Sequence, residues 1–390
     1  MTDRITIENL YKIFGKSPEA ALRLLAQGES KETVLGRTGQ VVGLHDVSLS
    51  VPAGSIYMIM GLSGSGKSTL ARCINRLVEP DAGRILIDGE EITGIGEARL
   101  REVRRTRISM VFQHFALLPN RTVVENAEFG LKLRGIGARE RRRKAMEVLD
   151  VVGLASWAHH RPSALSGGMR QRVGLARALA TEADVLIMDE AFSALDPLIR
   201  SEMQEELLRL QQTLRKTILF ITHDFQEALK LGTRIAIMSE GAVVREGTPQ
   251  EIVQAPGNDY VAAFTRDVDR SRVFDAASIM SPVLPIVIGP NGLFTREGEP
   301  APDGGFAVDP EGRLLGYCRT GDIEKLRVSP RPHSLLSQDY VAVSGEDKLV
   351  EVAAHCRPER PVAVVDREGR FEGSIETSRI LSRIGEKPAI

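Results

Sequence analysis

The sequence predicts an α/β protein in two parts, a large layered domain followed by a smaller one. From about residue 5 to residue 247, short β-rich runs alternate with amphipathic helical patterns, as in a layered α/β domain. Beyond residue 274 the long amphipathic helices stop and a weak internal repeat begins. A chain of 390 residues is long enough for two or more domains with a sizeable core.

The strands of the larger part are apolar on consecutive residues, which is typical of strands buried on both faces of a parallel sheet. Such runs occur at residues 55–61, 107–113, 184–190, 217–223 and 234–241. Two further segments have helical patterns. Residues 21–40 predict a pair of short helices within an insertion over 15–40, and residues 248–270 predict a helical tail with Pro249 near its first turn.

The last part of the chain contains two similar stretches, residues 305–326 and 361–381. Their alignment pairs Asp309 with Asp366, Gly312 with Gly369, and Gly316 with Gly373. Each stretch has the pattern of a strand, a turn, a strand and a helix. The pattern predicts two copies of one small α/β unit, and the alternative is chance similarity between two ordinary strand-turn-strand segments.

Charge and composition exclude several classes of protein. Lys and Arg total 51 against 52 for Asp and Glu, so the net charge of -1 gives no reason to expect a nucleic-acid partner. The basic run 138–150 has mixed charge and predicts a solvated helix face. The three cysteines are far apart and form no CxxC pair, which argues against a disulfide framework or a zinc site. We expect them to be buried or incidental thiols.

The chain shows no pattern of a membrane-spanning or exported protein. Its first residues are charged and lack the apolar core of a signal peptide. No apolar run approaches the roughly 18 to 20 residues that a spanning helix needs. If the protein serves a membrane process, we expect another chain to cross the lipid.

A phosphate-binding loop stands between the first buried strand and a helix. Residues 61–68, GLSGSGKS, fit the pattern G-x-x-x-x-G-K-[ST] in the strand-loop-helix context that the pattern requires. Glycines let successive backbone N–H groups turn toward a phosphate at a helix N-terminus. Lys67 is expected to reach the β- and γ-phosphates, and the Ser68 hydroxyl to ligate Mg²⁺. The expected nucleotide-binding residues are Gly61, Ser63, Gly64, Ser65, Gly66, Lys67, Ser68 and Thr69.

Two adjacent carboxylates, Asp189 and Glu190, end the apolar strand 184–190. Asp189 suits a partner of Mg²⁺, either directly or through water. Glu190 has the placement of a general base that polarises the attacking water. The alternative is a pair of solvated carboxylates at a strand end, but an apolar strand rarely ends in such a pair without use. Together with the glycine-rich loop, the pair predicts hydrolysis of a nucleoside triphosphate.

A second glycine pair follows far along the chain, in LSGG at residues 165–168. It precedes a helical pattern, so its backbone N–H groups could bind a γ-phosphate. The phosphates are already held by the loop 61–68. We therefore expect Ser166, Gly167 and Gly168 to bind nucleotide held by another copy of the same domain. Three other polar groups end predicted elements or follow them at once: Gln113, His223 and the segment SALD at 193–196.

This set of motifs resembles the ABC transporter ATPase family over about residues 5–270. In that family two subunits enclose two ATP molecules, each between the phosphate loop of one and the LSGGQ-type signature of the other. The resemblance implies that Gln113 senses Mg²⁺ and the attacking water, that Asp196 contacts the partner subunit, and that His223 contacts the γ-phosphate. The adenine-stacking aromatic is expected at Phe14, with Tyr11 as the second choice and a simple core aromatic as the alternative.

Two further features of the family concern the partners of the chain. The signature here has Met169 as its fifth residue, a departure that leaves Ser166 and the backbone amides intact. The segment 114–130 is unusually apolar for a surface, and in this family it receives a helix of the membrane permease. Its alternative is ordinary core packing.

Several longer stretches closely resemble the ATPase subunit of the glycine betaine/proline betaine importers. They are the insertion with SKETVLGRTG, MGLSGSGKSTLARCINRLVEP, MVFQHFALLPNRTV, and LSGGMRQRVGLARALA with MDEAFSALDPLIR. That subunit also carries a tandem pair of CBS units. The resemblance therefore implies an ABC ATPase domain, a RecA-like core with a helical signature subdomain, over 1–270. A CBS pair is expected over 276–390, as units of about 276–330 and 331–390.

The resemblance implies an ATPase that works with Mg²⁺, as a homodimer, at the cytoplasmic face of the plasma (inner) membrane. Its expected partners are an integral permease and, indirectly, a solute-binding protein. The alternatives are a related choline or carnitine importer, or a soluble ABC ATPase, which would show a second cassette or a long coiled coil. The CBS-like units depart from the pattern that holds ribose, because Arg319 and Glu376 stand where Thr or Ser is usual. Substrate choice lies in the permease and the binding protein.

Overall fold

The computed structural model describes residues 2–112, 116–193, 195–289, 292–294, 303–329, 331–357 and 359–385. The chain divides into two compact units, Met1–Ile252 and Val253–Ile390. The first unit contains a parallel sheet that carries the predicted loops, a second, antiparallel sheet, and helices around them. The second unit is smaller and contains the repeat.

The strands of the first unit form two sheets. They are β1 (Asp3–Phe14), β2 (Val41–Pro52), β3 (Ile56–Met60), β4 (Ala82–Ile87), β5 (Glu90–Glu91), β6 (Ile108–Val111), β7 (Val185–Asp189), β8 (Thr217–Thr222), β9 (Arg234–Ser239) and β10 (Ala242–Gly247). One sheet has the order β10-β9-β3-β8-β7-β6, and all its neighbours are parallel except the antiparallel β9–β10 pair. The other has the order β2-β1-β4-β5 and is antiparallel.

The helices of the first unit follow the predicted alternation. They are α1 (Pro18–Ala26), α2 (Lys31–Thr38), α3 (Lys67–Ile74), α4 (Glu97–Thr106), α5 (Val123–Ala127), α6 (Phe129–Leu133), α7 (Ala138–Val151), α8 (Gly167–Ala180), α9 (Pro197–Leu214) and α10 (Phe225–Leu231), and α11 (Pro249–Gln254) lies at the boundary between the units. The basic run is the helix α7, as expected. Pro249 is the first residue of α11, where its missing N–H and fixed φ are tolerated.

The five apolar runs are strands, and their burial explains why the runs are continuous. Every residue of β3, β7 and β8 is buried, because helices or the second sheet cover both faces of the parallel sheet. One hydrophobic core joins residues of both sheets with α3, including Ile7, Leu44, Ile59 and Leu70. The antiparallel sheet has no counterpart among the predicted runs, since its strands are half-exposed and irregular in register.

The predicted insertion is the helix pair α1 and α2. Ser30 caps α2 by accepting a hydrogen bond from the Thr33 N–H, and Gly39 ends it in the left-handed conformation with φ of 68°. The pair has a small core of its own, in which Ala21 and Val34 pack against Ile13 of β1 and Val42 of β2. The insertion is thus fixed to the two strands that flank it.

The second unit contains the strands β11 (Ile286–Gly289), β12 (Gly292–Phe294), β13 (Gly305–Val308), β14 (Leu314–Cys318), β15 (Val341–Ser344), β16 (Val362–Val365) and β17 (Phe371–Ile375). Its helices are α12 (Asp259–Thr265), α13 (Arg270–Val273), α14 (Ile323–Val328), α15 (Leu349–His355) and α16 (Thr377–Gly385). The two sheets have the orders β12-β11-β13-β14 and β15-β16-β17.

The aligned halves of the repeat have the same turn. In each half an antiparallel hairpin, β13–β14 or β16–β17, precedes a helix. The carboxylate of Asp309 accepts the N–H of Arg313, and Asp366 does the same for Arg370. The two turns also pair with each other, because the Leu314 N–H donates to Gly369 and the Phe371 N–H to Gly312. Each turn thus donates one backbone N–H to the other, so the two halves of the repeat bind each other through equivalent residues.

The limit between the two units differs from the predicted limit between domains. The sequence assigns the tail 248–270 to the first domain, whereas the compact units divide after Ile252. Arg270 is buried and donates to the carbonyl of Val253, and α13 packs against α15 and α16. Most of the tail therefore belongs to the second unit by packing. The domain limits of 1–270 and 276–390 stay a prediction.

The three cysteines form no disulfide. Cys73 and Cys318 are buried, Cys356 is half-buried, and all are free. Burial raises the pKa of the Cys73 thiol to about 12, so this group stays protonated and unreactive at neutral pH. In the described ranges, no helix has both the length and the apolar character that crossing a membrane would require.

Candidate functional site

The glycine-rich loop connects the end of β3 to the start of α3, at the carboxyl edge of the parallel sheet. Gly66 caps α3 in the left-handed conformation with φ of 100°, and Gly64 also has a positive φ of 82°. Ser63 and Gly64 are exposed, and no atom lies within 4 Å of a side chain added at Gly64. The loop therefore presents open backbone at a helix N-terminus, which suits a phosphate.

Lys67 is the charged centre of the loop. Its side chain is buried, and its Nζ donates to the carbonyls of Gly61 and Leu62, both at 2.8 Å. Burial lowers the pKa of Lys67, and the negative charges of Glu190 and Asp189 act in the opposite direction. A desolvated ammonium among backbone groups gains from a nearby anion, because little water screens the attraction.

Two glycines outside the motif fix the loop from behind, and sequence reasoning missed them. The Gly241 N–H donates to the Ser65 carbonyl at 2.9 Å. A side chain added at Gly66 would lie 2.8 Å from the Gly43 carbonyl and 3.1 Å from the Cα of Gly241. The three backbones thus meet with no room for a Cβ. A single glycine in a half-exposed strand or turn carries no such signal, so only the tertiary contact identifies these positions.

Ser68 and Asp189 form the oxygen pair of the site. The Ser68 hydroxyl donates to Asp189 Oδ1 at 2.8 Å, which joins α3 to the end of β7. Burial raises the pKa of Asp189, and the hydrogen bond from Ser68 acts in the opposite direction. Oxygen donors of this kind fit Mg²⁺. Across the described residues, no group of three or more His, Cys, Asp or Glu could hold a metal, so such an ion would need phosphate or water oxygens as well.

Glu190 and His223 meet because β7 and β8 are parallel neighbours. Both residues follow the carboxyl ends of these strands, and His223 Nδ1 lies 3.5 Å from Glu190 Oε2. Glu190 has a positive φ of 47°, which is unusual for a residue with a side chain. The Glu190 N–H still donates to the Ile221 carbonyl, so the ladder holds this backbone in place. A carboxylate and an imidazole side by side can hold and pass a proton.

Gln113 lies outside the described residues, together with His114, Phe115 and Ala194 of the SALD segment. The strand before Gln113, β6, ends at Val111 and pairs in parallel with β7.

Phe14 and Tyr11 occupy different environments. Phe14 is 44% exposed, and its ring lies across Gly43, where an added Cβ would come within 2.6 Å of the ring. Gly43 is also the residue that abuts Gly66 of the phosphate loop. Tyr11 instead packs against the small core of the insertion, with its ring 5.7 Å from that of His45. Of the two aromatics, Phe14 is therefore the one with an exposed ring beside the loop.

The LSGG segment is the start of α8, as predicted. Ser166 is exposed and caps the helix, since its Oγ accepts the Met169 N–H at 3.3 Å. Gly168 packs on α9, where an added Cβ would lie 2.6 Å from Ile199. Asp196 caps α9 by accepting the Ile199 N–H at 3.1 Å. The signature and the SALD segment thus lie together. Throughout the described part of the chain, no hydrogen bond joins Ser166 to the phosphate loop.

A mostly apolar groove lies beside residues 116–130. It is a cavity of about 350 Å³ whose lining includes Met110, Phe112, Leu118, Phe129 and Leu133, together with Arg104, Arg105 and Arg177. Leu133 is 56% exposed. From residue 116 onward, the segment is ordered by the helix α5, whose buried Asn126 bonds the Leu118 backbone in both directions. The large apolar side chains described from residue 116 to 130 are therefore buried or half-buried, and the exposed leucine, Leu133, lies just beyond the segment.

Comparison with known proteins identifies the family. The family model described as "ABC transporter" matches residues 44–193. The glycine betaine/proline betaine transport system ATP-binding protein of Salmonella typhimurium is 46% identical over 98% of both chains. The glycine betaine/carnitine transport ATP-binding protein of Listeria monocytogenes is 44% identical over 98% of this chain and 97% of its own length.

A solved structure agrees with this result. The dimeric bacterial ABC transporter cassette MJ0796 is 32% identical, with a TM-score of 0.54 over 63% of this chain and 98% of its own. The same cassette matches equally well as a dimer bound to ADP and phosphate. With the phosphate loop, the Ser68–Asp189 pair and the exposed start of α8 in place, the chain belongs to the ATP-binding proteins of ABC transporters, in the family of the glycine betaine transport ATP-binding proteins.

Proposed function

We propose that this chain is the ATP-hydrolysing, energy-coupling subunit of an ABC importer of glycine betaine, proline betaine or a related quaternary amine. The observation that carries the proposal is the convergence of Lys67, Ser68, Asp189, Glu190 and His223 at one edge of the parallel sheet. Relatives named for glycine betaine transport match it over nearly their whole length, which supports the substrate class.

The phosphate loop binds the nucleotide in this proposal. Backbone N–H groups from Gly61 to Gly66 and the Lys67 ammonium receive the phosphates, and Thr69 follows at the start of α3. Ser68 and Asp189, with Gln113, would hold Mg²⁺, which neutralises phosphate charge when bound. The short Ser68–Asp189 contact favours this arrangement, because it places two hard oxygen ligands side by side.

Glu190 is the proposed general base, and His223 is the proposed contact to the γ-phosphate. The 3.5 Å between His223 Nδ1 and Glu190 Oε2 orients the carboxylate, and the strained backbone of Glu190 fixes it at the strand end. A positioned carboxylate can take a proton from water as the water attacks. Gln113 is proposed to position that water.

The active form is proposed to be a homodimer. The Ser166 cap of α8 is exposed, and the described residues show no hydrogen bond from Ser166 to the phosphate loop, so the N–H groups of Gly167 and Gly168 are proposed to serve a phosphate from another subunit. A second copy would bring its own nucleotide to Ser166, Gly167 and Gly168, with Asp196 at the contact. The matching cassette MJ0796 is itself dimeric, which supports this arrangement.

Phe14 is the proposed adenine-stacking residue. Its ring is partly exposed and lies on Gly43, which in turn abuts the loop at Gly66. An aromatic face beside a nucleotide site stacks favourably on a purine. Tyr11 is less suited, because its ring is already used in the core of the insertion.

The membrane permease is the proposed partner of the groove beside residues 116–130. An amphipathic helix of the permease would place apolar side chains against Phe112, Leu118 and Leu133. The subunit would then sit peripherally at the cytoplasmic face of the plasma (inner) membrane. The solute-binding protein would act on it only through the permease. The balanced charge gives no support for a nucleic-acid partner.

We also propose that residues 276–390 are a tandem CBS pair with a regulatory role. The support is the repeated hairpin, the equivalent Asp309 and Asp366 turns and the reciprocal bonds between them. Arg319 and Glu376 replace the hydroxyl residues that hold ribose in many CBS units. Adenosine is therefore not the expected ligand of the CBS pair. The ATPase unit is expected to hydrolyse ATP without adenosine bound to the pair.

The direct test is uptake by vesicles that contain the complete importer with ATP inside. We expect labelled glycine betaine to accumulate only with ATP, and accumulation to fail with Glu190→Gln. Unlabelled proline betaine, carnitine and choline compete in the same assay and rank the substrates. ATP hydrolysis without uptake of any quaternary amine would contradict the substrate class. Uptake that continues without ATP would contradict the energy-coupling role.

A further inference from the structure

Two loops of the first unit must keep a fixed relation for the proposed chemistry. The loop after β7 begins with Glu190 and ends at Asp196, and the loop after β8 contains His223 and Asp224. The strands hold the two loops side by side at their starts, since Asp189 pairs with Ile221. Beyond the strands, the backbone ladder ends. Something else must hold the far end of the first loop against the second.

Arg200 contacts both loops. It lies one helical turn after Asp196 on α9, and its Nη2 donates to the carbonyls of Ser193 at 3.4 Å and Leu195 at 3.2 Å. Its Nη1 lies 3.5 Å from Asp224 Oδ2 and donates to it. A planar guanidinium can donate hydrogen bonds from different nitrogens to acceptors on two sides, which the single nitrogen of an ammonium does less well. One side chain therefore bridges the Glu190 loop and the residue after His223.

Two of the three acceptors, Ser193 and Asp224, are themselves held by hydrogen bonds. The Ser193 N–H and hydroxyl both donate to the Glu190 carbonyl, at 3.2 and 2.9 Å, so Ser193 moves with Glu190. Asp224 Oδ1 accepts the N–H groups of Gln226 and Glu227 at the start of α10, and the Asp224 N–H donates to Thr222. Oδ2 is left for Arg200. The bridge thus connects two rigid turns.

A second contact lies one turn further along both helices. Gln204 of α9 donates to Glu227 of α10 at 3.1 Å, and both side chains are buried. Lys230 of α10 adds contacts to Ser201 and Glu205 of α9. Among these polar contacts, the one from Arg200 also reaches the loop that begins at Glu190. A change at Gln204 would remove packing as well, so Arg200 is the better position at which to test the connection.

We infer that Arg200 is a positioning residue, which holds the Glu190 loop and the His223 loop in the relation that hydrolysis needs. The inference rests on the proposed function, because it assumes that Glu190 and His223 act on one phosphate. Among the described residues, the polar contacts of Arg200 are with Ser193, Leu195 and Asp224 and include none with the phosphate loop, so we expect nucleotide binding to be unchanged without it. Its loss lowers kcat and leaves the KM for ATP in place.

The test is a double-mutant cycle in the full chain. Arg200→Met removes the bridge, and Asp224→Asn removes the negative charge at Oδ2 while its Oδ1 can still cap α10. Arg200→Lys keeps the charge and loses the planar fork. Arg209→Met is the matched control, since Arg209 is on the same helix but 74% exposed and paired with Glu206 of that helix. Steady-state ATP hydrolysis gives kcat and KM, and the unfolding temperature reports stability.

We expect kcat to fall about 10- to 100-fold in Arg200→Met, because small misplacement of catalytic groups has effects of this size. KM should change less than about twofold, within the additivity error of such comparisons. Arg200→Lys should not restore kcat. Asp224→Asn should lower kcat by a similar factor. The double variant should have a kcat no lower than that of either single variant. The control should match the wild type.

Three results would overturn the inference. They are a wild-type kcat in Arg200→Met, a rise in KM at constant kcat, or losses that multiply in the double variant. If Arg200→Met does not fold, Asp224→Asn decides alone: a lower kcat at unchanged KM supports the bridge, and a wild-type kcat rejects it. Failure of the proposed function looks different, since Glu190→Gln would then hydrolyse ATP at the wild-type rate.

Discussion

Helix α3 and helix α8 both begin at glycines, but their N-termini are surrounded in different ways. The start of α3 is enclosed by its own chain: Gly43 and Gly241 press against Gly66, and Lys67 is buried among backbone carbonyls. At the start of α8, the capping residue Ser166 is exposed, and among the described residues its hydroxyl accepts only the Met169 N–H of the helix itself. The first helix start is thus enclosed by its own chain, and the second has an exposed cap.

This difference indicates a division of tasks. A site enclosed by its own chain can select and hold a phosphate, because its donors are fixed and partly desolvated. An exposed helix start has the same partial positive charge but lacks surrounding groups that would hold a phosphate. It is therefore expected to bind a phosphate only when another surface presents one. The two helix starts therefore predict that binding and hydrolysis can be separated by mutation.

The largest effect is expected from Ser166→Arg at the open helix start. A long cation there blocks the approach of a second subunit, so hydrolysis should be abolished while the monomer binds ATP as before. Nucleotide binding by fluorescence titration and ATP hydrolysis are measured on the same sample. Ser163→Arg, on the exposed turn just before the signature, is the matched control. Equal loss of binding and hydrolysis would mean that the open site belongs to its own subunit's nucleotide.

Glu190→Gln should also stop hydrolysis, but with the opposite effect on assembly. The amide cannot take a proton from water, so ATP should accumulate between two closed subunits. Size-exclusion chromatography with ATP and Mg²⁺ should show a dimer that wild type forms only briefly. Glu182→Gln is a control with similar backbone, because Glu182 also has a positive φ, of 57°, but precedes β7. Wild-type turnover in Glu190→Gln would remove Glu190 from the role of base.

Phe14→Ala should affect only the enclosed site. Loss of one stacking contact of about 1 to 1.5 kcal/mol raises the ATP dissociation constant roughly tenfold. Phe14→Trp should keep the affinity. Tyr11→Ala is the informative comparison, since we expect it to lower the unfolding temperature by disturbing the core of the insertion and to change affinity less. If Tyr11→Ala weakens binding and Phe14→Ala does not, the stacking residue is Tyr11.

The smallest change expected in these comparisons is the change in stability caused by Asp189→Asn. Burial raises the pKa of Asp189 above its unfolded value, so the ionised carboxylate destabilises the ligand-free chain. The asparagine should raise the unfolding temperature by a few degrees while Mg²⁺-dependent hydrolysis is lost. The gain should be largest above the raised pKa. It should shrink as the pH falls through the raised pKa and disappear below the unfolded pKa of about 3.9, because Asp189 is then neutral in both states.

The unfolding temperatures of Asp189→Asn and wild type are measured over a range of pH. A difference between them that stays constant over this range would contradict this account. Ser68→Ala separates the effect of burial on the pKa of Asp189 from the effect of the Ser68 hydrogen bond. Without the Ser68 hydroxyl, the hydrogen bond that favours the charged form is lost, so the pKa of Asp189 should rise further and the stability of the ligand-free chain should fall.

Much of the first unit could be predicted because its signals are local. Five continuous apolar runs became the strands β3, β6, β7, β8 and β9, since burial on both faces leaves no room for polar residues. The antiparallel sheet of β1, β2, β4 and β5 was not resolved, because half-exposed strands with register shifts have no clean period. The tail was predicted as helical, but packing places most of it with the second unit.

The same division applies to the site. The sequence by itself determined which chemistry the chain carries, because the phosphate loop, the strand-end carboxylates and the signature each need particular residue types at fixed short spacings. Only the tertiary structure decided which distant residues meet: Gly43 and Gly241 behind the loop, Phe14 against Gly43, and Arg200 between two loops. Such contacts arise from strand order and packing, which join residues far apart in the chain and leave no pattern in the sequence.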